Sequence, residues 1–507
     1  MNRLLTIMLT FSILTVSCGE NPERRQMKHA TTPRCERVFY EIFVQSFYDT
    51  NGDGIGDLNG VTARLDYLQD LGITGIWLLP VHPSPSYHKY DVSDYYGIHP
   101  DYGNMEDMKI LLKEAHKRDI LVLIDMVINH CSSEHPWFIE ARKGKDNPFR
   151  ENFVWSSDTT VHRKEPFHWH RNGRDKEKYY GFFWKGMPDL NFDRPEVREE
   201  MKKIGKFWLT EVGVDGFRLD AVKYIYPDSL SGKNAAWWQE YRSSLETTGK
   251  DFFLVAEIWD ESAQIGTFLD RGVHAAFNFD LSFAIEEMLA TKKDPGIAHI
   301  LDEIHRSYQE VSDSYYDAVF LKNHDQDRIM SLLTDPRQAK LAASVLLTLP
   351  GIPFIYYGEE IAMLGMKPDE YIREPMVWDL PGADPGQTSW IKPRYSTPEK
   401  ISPVKQQQED PGSLLSHYKK MIALRKAHPA LARGTIRSMD SIPDYLCAYT
   451  LCDTAGDVIV IHNLTDKTVK LDTGLLNAGG PVLYLAGTQK KDGGSLLLKP
   501  FGTLVQY

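Results

Sequence analysis

The sequence predicts an α/β chain. A (β/α)8 TIM barrel carries a domain B insertion after strand 3, and a C-terminal antiparallel β-sandwich domain follows it. Three observations predict this. Apolar runs rich in β-branched residues alternate with segments of helical spacing, which is the pattern of a parallel sheet wrapped in helices. The alternation breaks once, over 131–191, for too long to be a simple loop. Beyond about residue 432 the texture changes to short alternating strands with turns. The expected boundaries are 36–130 and 192–431 for the barrel, 131–191 for the insertion and 432–507 for the last domain.

Val38–Tyr48 (VFYEIFVQSFY) predicts the first strand. Helical spacing over Val61–Leu71 leads to a buried second strand, Ile73–Leu79, and an aromatic and polar loop, Tyr87–Tyr96. A helix over Met105–Arg118 precedes Ile120–Val127, an apolar strand interrupted by Asp125 and closed by Asn129 and His130. An aspartate within such a run costs several kcal/mol unless it is paired. The insertion has no clear periodicity and carries Trp137, Trp155, Trp169 and Trp184. A helix over Pro195–Glu211 leads to the fourth strand, inside Gly213–Tyr224, and a helix around Ala235–Leu245 to the fifth, Phe252–Ala256. His274–Phe279, Ala318–Leu321 and Pro353–Tyr357 predict the sixth, seventh and eighth, and Ser413–Lys426 the closing helix. Val458–His462 and Pro481–Leu485 typify the strands of the last domain.

A chain of 507 residues suits a barrel of about 250 residues with insertions plus a small domain. Hydrophobic content of 42% and charged content of 25% are those of a soluble globular protein. A net charge of −12 argues against a nucleic-acid partner. At the N-terminus, Met1-Asn-Arg3 is a positive start, Leu4–Val16 an apolar run too short to span a bilayer, and Ser17-Cys18 a small residue before a cysteine. That order resembles a bacterial lipoprotein leader: signal peptide 1–17, then a tether over 18–35 lipidated at Cys18. The expectation is an exported, membrane-anchored chain, periplasmic or at the cell surface, touching membrane only through that anchor. An ordinary secretory signal is the alternative. Cys35, Cys131, Cys447 and Cys452 make no zinc pattern and predict free buried thiols.

Asp49-Thr-Asn-Gly-Asp-Gly-Ile-Gly-Asp57 places oxygen side chains at alternate positions with glycines between, as in the first half of a calcium loop. A full EF-hand fails, because its twelfth position is Gly60 and a strand precedes it. A Ca2+ loop built from Asp49, Asn51, Asp53 and Asp57 survives. A Gly/Asp turn without metal is the alternative.

Three acids stand at strand ends: Asp220, Glu257 and Asp325, with Arg218, Trp259 and His324 beside them. In a barrel the carboxyl ends of the strands converge on one cavity. Two carboxyl groups flanking a bond are what glycoside hydrolysis needs, one ionised and one protonated. Arg218, two residues before Asp220, shares its face of the strand and suits it to the ionised role. Glu257, on an apolar strand beside Trp259, suits a raised pKa.

The segments DMVINH (125–130), GFRLDAVKY (216–224), EIWD (257–260) and KNHDQDR (322–328), with MPDLN (187–191), resemble the ordered signature segments of the α-amylase family, glycoside hydrolase family 13. The resemblance runs from Val38 to the C-terminus. It implies that Asp220 is the nucleophile, Glu257 the general acid/base and Asp325 the transition-state stabiliser, acting with retention of anomeric configuration. The two reacting carboxyls are then expected about 5–5.5 Å apart. It also implies that Arg218, His130 and His324 surround the sugar, that Tyr90 stacks beneath it, and that Asp125 buttresses the site. The loop of Asp49 matches a calcium loop of the family's oligosaccharide-cleaving branch. A second ion at Asn129 and Asp189, between barrel and domain B, is left open.

Ala221 resembles members that cleave α-1,4 bonds, and Lys223 matches a position that contacts the sugar beyond the cleaved bond. Tyr224 departs from the histidine usual in endo-acting amylases. MPDLN and Arg373-Glu-Pro-Met376 lean toward members between oligo-1,6-glucosidases and neopullulanases. The expected substrate is an α-glucan, starch or maltodextrin. An exo-acting α-glucosidase, a neopullulanase-like enzyme or a transglycosylase would use the same acids. A starch-binding protein would not need them. Oligomeric state is not legible in the sequence.

Overall fold

Eight short parallel strands close into a barrel: β1 (Phe39–Ile42), β2 (Gly75–Leu78), β3 (Leu121–Met126), β4 (Gly216–Leu219), β5 (Phe253–Ala256), β6 (Ala275–Phe277), β7 (Tyr316–Phe320) and β8 (Ile352–Tyr356). The computed structural model describes residues 32–158, 168–173, 175–333, 335–471, 473–476, 480–490 and 496–507. The leader and Cys18 lie outside the described residues, and no helix among those described is long and apolar enough to cross a membrane.

Strands covered on both faces read as continuous apolar runs, so the polar exceptions are informative. They are Glu41, Asp125, Arg218 and Asp317, all buried. The register sets Asp125 beside Arg218 across β3 and β4, and Glu41 beside both Trp77 of β2 and Tyr356 of β8. Gly216 opens β4 at φ +145°, where a Cβ would fall 1.9 Å from the carbonyl oxygen of Phe253. Only glycine allows the two strands that carry Asp220 and Glu257 to approach so closely.

Two predicted elements divide. Val38–Tyr48 is a strand followed by a helical turn, Val44–Phe47, all four of whose residues are buried. Their β-branched and aromatic character reflects packing and not an extended backbone. The helix that opens at Pro195 runs to Phe207, then widens into a π-turn over Trp208–Val212 that Gly213 ends at φ +96°.

Within the insertion, Trp155–Ser156, Trp169–Arg171 and Lys178–Tyr180 form a three-stranded antiparallel sheet. A backbone bridge from His130 to Asp189 ties the insertion to the end of β3, and one from Phe153 to Leu190 lies within it. The C-terminal domain is a six-stranded antiparallel sheet. One face (Cys447, Tyr449, Val460, Val505) joins the barrel's core, and the other (Ala448, Ile459, Ile461, Leu504) makes a cluster of its own. All four cysteines of the described residues are free; Cys131 and Cys447 are buried, whereas Cys35 and Cys452 are only partly so. The expectation of four buried thiols fails for the last two, which lie before β1 and at a strand end.

Candidate active site

Arg218 is the hub. It lies near the carboxyl end of β4 and is 1% exposed. Its Nη1 donates to Asp220 Oδ1 at 2.7 Å and to Asp125 Oδ1 at 2.9 Å, and its Nη2 donates to Glu257 Oε2. Its guanidinium also lies over the Trp77 ring. Burial pulls its pKa down, but the acidic groups around it outweigh that and hold it above even the usual arginine range. A planar fork with several donors can serve three acids at once where a lysine could not.

Burial pushes the carboxyls of both Asp220 and Glu257 up, and Arg218 opposes this in each case. The two differ in their like-charged neighbours. Glu257 feels both Asp220 and Asp325, and these push it further toward the protonated form. Its Oε1 accepts from the indole N–H of Trp259 at 2.9 Å. Asp125 is fully buried and accepts from Arg218, from Trp77 Nε1 at 3.2 Å and from the Tyr90 hydroxyl at 3.0 Å. Burial, partly offset by Arg218, raises its pKa to about 7.

Asp325 is the opposite case. Its Oδ1 accepts from Arg373 Nη2 at 2.8 Å and its Oδ2 lies 3.0 Å from His324 Nε2. Burial would raise its pKa, but His324, Arg373 and Arg218 outweigh that and hold it well below the usual carboxylate range. His324 is fully buried between Glu41, at 2.6 Å from Nδ1, and Asp325. Burial lowers its pKa and the two carboxylates more than restore it, to about 9. A charged ring donates from both nitrogens. The Tyr90 hydroxyl, 2.7 Å from Nε2, accepts that donation and donates its own O–H to Asp125. The Tyr90 ring also stacks on His324, with centroids 5.6 Å apart.

His130 is neutral, its pKa lowered by burial to about 4. Its Nε2 donates to the Tyr90 carbonyl at 3.2 Å, and Nδ1 accepts from Asn129 Nδ2 at 3.3 Å. Lys223 donates to the Trp259 carbonyl at 2.9 Å and to Asp260 at 3.1 Å. The eight residues singled out as catalytic or sugar-binding thus belong to one hydrogen-bonded assembly at the carboxyl ends of the strands. Sequence reasoning missed two members. Glu41 interrupts the apolar run of β1 just as Asp125 interrupts β3, so the signal was present. Arg373 sits in a segment after β8 with no periodicity, where its position had no signal; it was read only for specificity.

The calcium loop is a different matter. Asp49 accepts from the backbone N–H groups of Asn51, Gly52 and Gly54, and Asp57 accepts from Thr50 and Gly60. Asn51 donates to Asp53 at 3.0 Å. The loop closes on its own hydrogen bonds, and among the described residues no group of three or more His, Cys, Asp or Glu is placed to hold a metal. The expected ligands Asp49, Asn51, Asp53 and Asp57 all lie within this one turn. What fits a hard cation is the donor chemistry, four oxygen side chains within nine residues. Near the insertion, Asn129 Oδ1 is buried with no hydrogen-bond partner among the described residues, and the buried Asp189 is bridged to the next residue, His130.

Residues 41–434 match the family described as alpha amylase, catalytic domain. The chain is 42% identical to alpha-amylase 3 of Dictyoglomus thermophilum, over 92% of each chain. It is 33% identical to an oligo-1,6-glucosidase of Parageobacillus thermoglucosidasius, over 85% of this chain and 90% of that one. Among solved structures it superposes on an alpha-amylase from H. orenii with a TM-score of 0.84 and 39% identity, covering 92% of this chain and 98% of the other.

Proposed function

The chain belongs to the α-amylase family of glycoside hydrolases, and from that footing we propose that it cleaves α-1,4-glucosidic bonds of starch or maltodextrins with retention of anomeric configuration. The observation that carries this reading is the sharing of one guanidinium by Asp220 and Glu257, with Asp325 held anionic alongside. Five carboxyls (Glu41, Asp125, Asp220, Glu257, Asp325) face three cations (Arg218, His324, Arg373) in this assembly. Leaving the excess negative charge buried is costly, so a proton resides within it. Its place in this reading is Glu257.

In the first step Asp220 attacks the anomeric carbon while Glu257 gives its proton to the departing glycosidic oxygen. The bond to that oxygen breaks as the ester to Asp220 forms. The anionic Asp325 stabilises the positive charge that develops on the ring between them. In the second step Glu257, now a carboxylate, takes a proton from water, which displaces Asp220 and restores both groups. Arg218 keeps Asp220 a better carboxylate than acid, and its bond to Glu257 fixes the second carboxyl relative to the first, so that the two can flank the scissile bond. His130 and the Tyr90 ring line the sugar site as uncharged groups.

The relative named oligo-1,6-glucosidase favours a second reading, action on α-1,6 bonds. The closer identity to alpha-amylase 3 and the alanine at position 221 support the first. Calcium is the cation that the oxygen donors Asp49, Asn51, Asp53 and Asp57 would hold, with Asn129 and Asp189 offering oxygen to a second ion; in both places it would supply structural cross-linking. Export with a lipid anchor at Cys18 remains part of the proposal on the strength of the leader sequence. A time course of products from maltoheptaose, starch and pullulan, with the anomer of the first product read by NMR, tests the reading. Maltodextrin cleavage giving the α-anomer is expected. Action confined to α-1,6 bonds would transfer the assignment to the second reading.

A further inference from the structure

We propose that Trp259 is a positioning residue for the Glu257 carboxyl and that Lys223 holds Trp259 in place for that task. The inference rests on the acid/base role proposed above for Glu257.

Both oxygens of Glu257 are occupied, Oε2 by Arg218 and Oε1 by the Trp259 indole N–H at 2.9 Å. The second contact is unusual in its setting. Trp259 lies beyond the end of β5 and is 38% exposed, so its N–H could be satisfied by water. Instead it turns back two residues onto a carboxyl in the cleft. One side of the ring is packed, with its centroid 4.0 Å from that of Phe279 and 5.9 Å from that of Phe283. The backbone is fixed as well: Lys223 donates to the Trp259 carbonyl at 2.9 Å and to the Asp260 carboxylate at 3.1 Å. Lys223 lies three residues past Asp220, and Trp259 two past Glu257. The clasp therefore ties the loop that carries the nucleophile to the loop that carries the acid. It also gives Lys223 work that does not require a sugar in contact.

An indole N–H can only donate. It therefore favours the ionised form of Glu257, the form produced when the leaving oxygen takes the proton and the form that later activates water. Two donors also fix the rotation of the carboxyl about its last bond, which decides where its proton points. Trp259→Phe keeps the ring and its packing and removes only the donor. Its removal raises the pKa of Glu257, the direction opposite to the effect of the Trp259 bond.

The test is the pH dependence of kcat/KM for wild type, W259F, K223M and E257Q on maltoheptaose and on α-maltosyl fluoride, whose leaving group needs no proton. For W259F the alkaline limb should move up by about half a unit to one unit. Its rate on maltoheptaose should fall about tenfold, and the loss should shrink on the fluoride. K223M should move both readings in the same direction by less, and K223R should restore part of the loss. An alkaline limb unmoved in both W259F and K223M, or losses equal on the two substrates, would overturn the proposal while E257Q is inactive on maltoheptaose. An E257Q enzyme active on maltoheptaose would overturn the acid/base role itself, and this inference with it.

Discussion

Glu41 Oε1 lies 2.6 Å from His324 Nδ1, so a carboxylate at the carboxyl end of the first strand sets the charge of a ring that follows the seventh. Both residues are essentially inaccessible to solvent. With Glu41 on one nitrogen and Asp325 on the other, the ring stays protonated despite its burial. The charge then holds Asp325 anionic. The electrostatics of the cleft are thus fixed from behind, by a residue that no substrate need touch.

This pair predicts a pH dependence of stability. The folded-state pKa of His324 is raised from 6.5 to about 9, so its contribution is full below pH 6.5 and is lost as pH rises through about 9. The contribution is at most about 3 kcal/mol. Glu41→Gln keeps an acceptor but removes the charge, and should flatten the decline between pH 7 and 9 in urea unfolding. A decline as steep as that of wild type would contradict it.

Arg218→Met should be among the most damaging single changes. It leaves Asp125, Asp220 and Glu257 without their shared cation inside the barrel. Removing one partner of a buried ionic network costs about 3–5 kcal/mol. Arg218→Lys keeps a charge but cannot reach three acids, so it should fold better than the methionine variant and still lose at least about 100-fold in kcat. Thermal unfolding and steady-state kinetics on maltoheptaose read the two effects separately. A lysine variant within a few fold of wild type would argue against the hub.

His82 predicts acid sensitivity of another kind. It is fully buried, both ring nitrogens lack hydrogen-bond partners among the described residues, and its ring packs edge-on against Trp208 and Tyr95. Burial lowers its pKa to about 4. The folded state therefore binds fewer protons than the unfolded state below pH 6.5, and stability falls as pH drops from there through about 4. His82→Phe should reduce the loss between pH 6.5 and 4.5, measured by thermal unfolding. An unchanged slope would place the acid lability elsewhere.

Calcium removal has a definite expected outcome. If the loop from Asp49 to Asp57 takes the ion, exhaustive chelation should lower the melting temperature and added Ca2+ should restore it. Asp53→Ala should abolish that response, since Asp53 is exposed and makes only local contacts within the loop. A chelated protein that melts with wild-type stability would show that the turn closes on its hydrogen bonds alone.

The barrel was readable because strands buried on both faces leave long apolar runs, and the acids were readable because charge at the end of such a run is costly unless it serves a purpose. Arg218 and Asp220 stood out for that reason. Glu41 gave the same signal but lay in a run that the sequence pattern extended to Tyr48, so its place at a strand end was hidden by the helical turn of Val44–Phe47. Arg373 was beyond reach because an irregular segment has no period from which to infer direction. The reach of Lys223 to the Trp259 carbonyl depends on how two loops meet, which spacing along the chain does not encode. In the acidic loop, alternation of oxygen donors fits a metal loop and a self-closed Asx turn equally well.

The central claim is that Asp220 forms a covalent bond to the sugar while Glu257 moves the proton. The most direct measurement is mass spectrometry of the enzyme after reaction with a fluorosugar α-glycosyl fluoride that slows the second step. The predicted result is one added glycosyl unit on the peptide that contains Asp220, absent from D220N. A label on another residue, or no label together with product of inverted configuration, would contradict it.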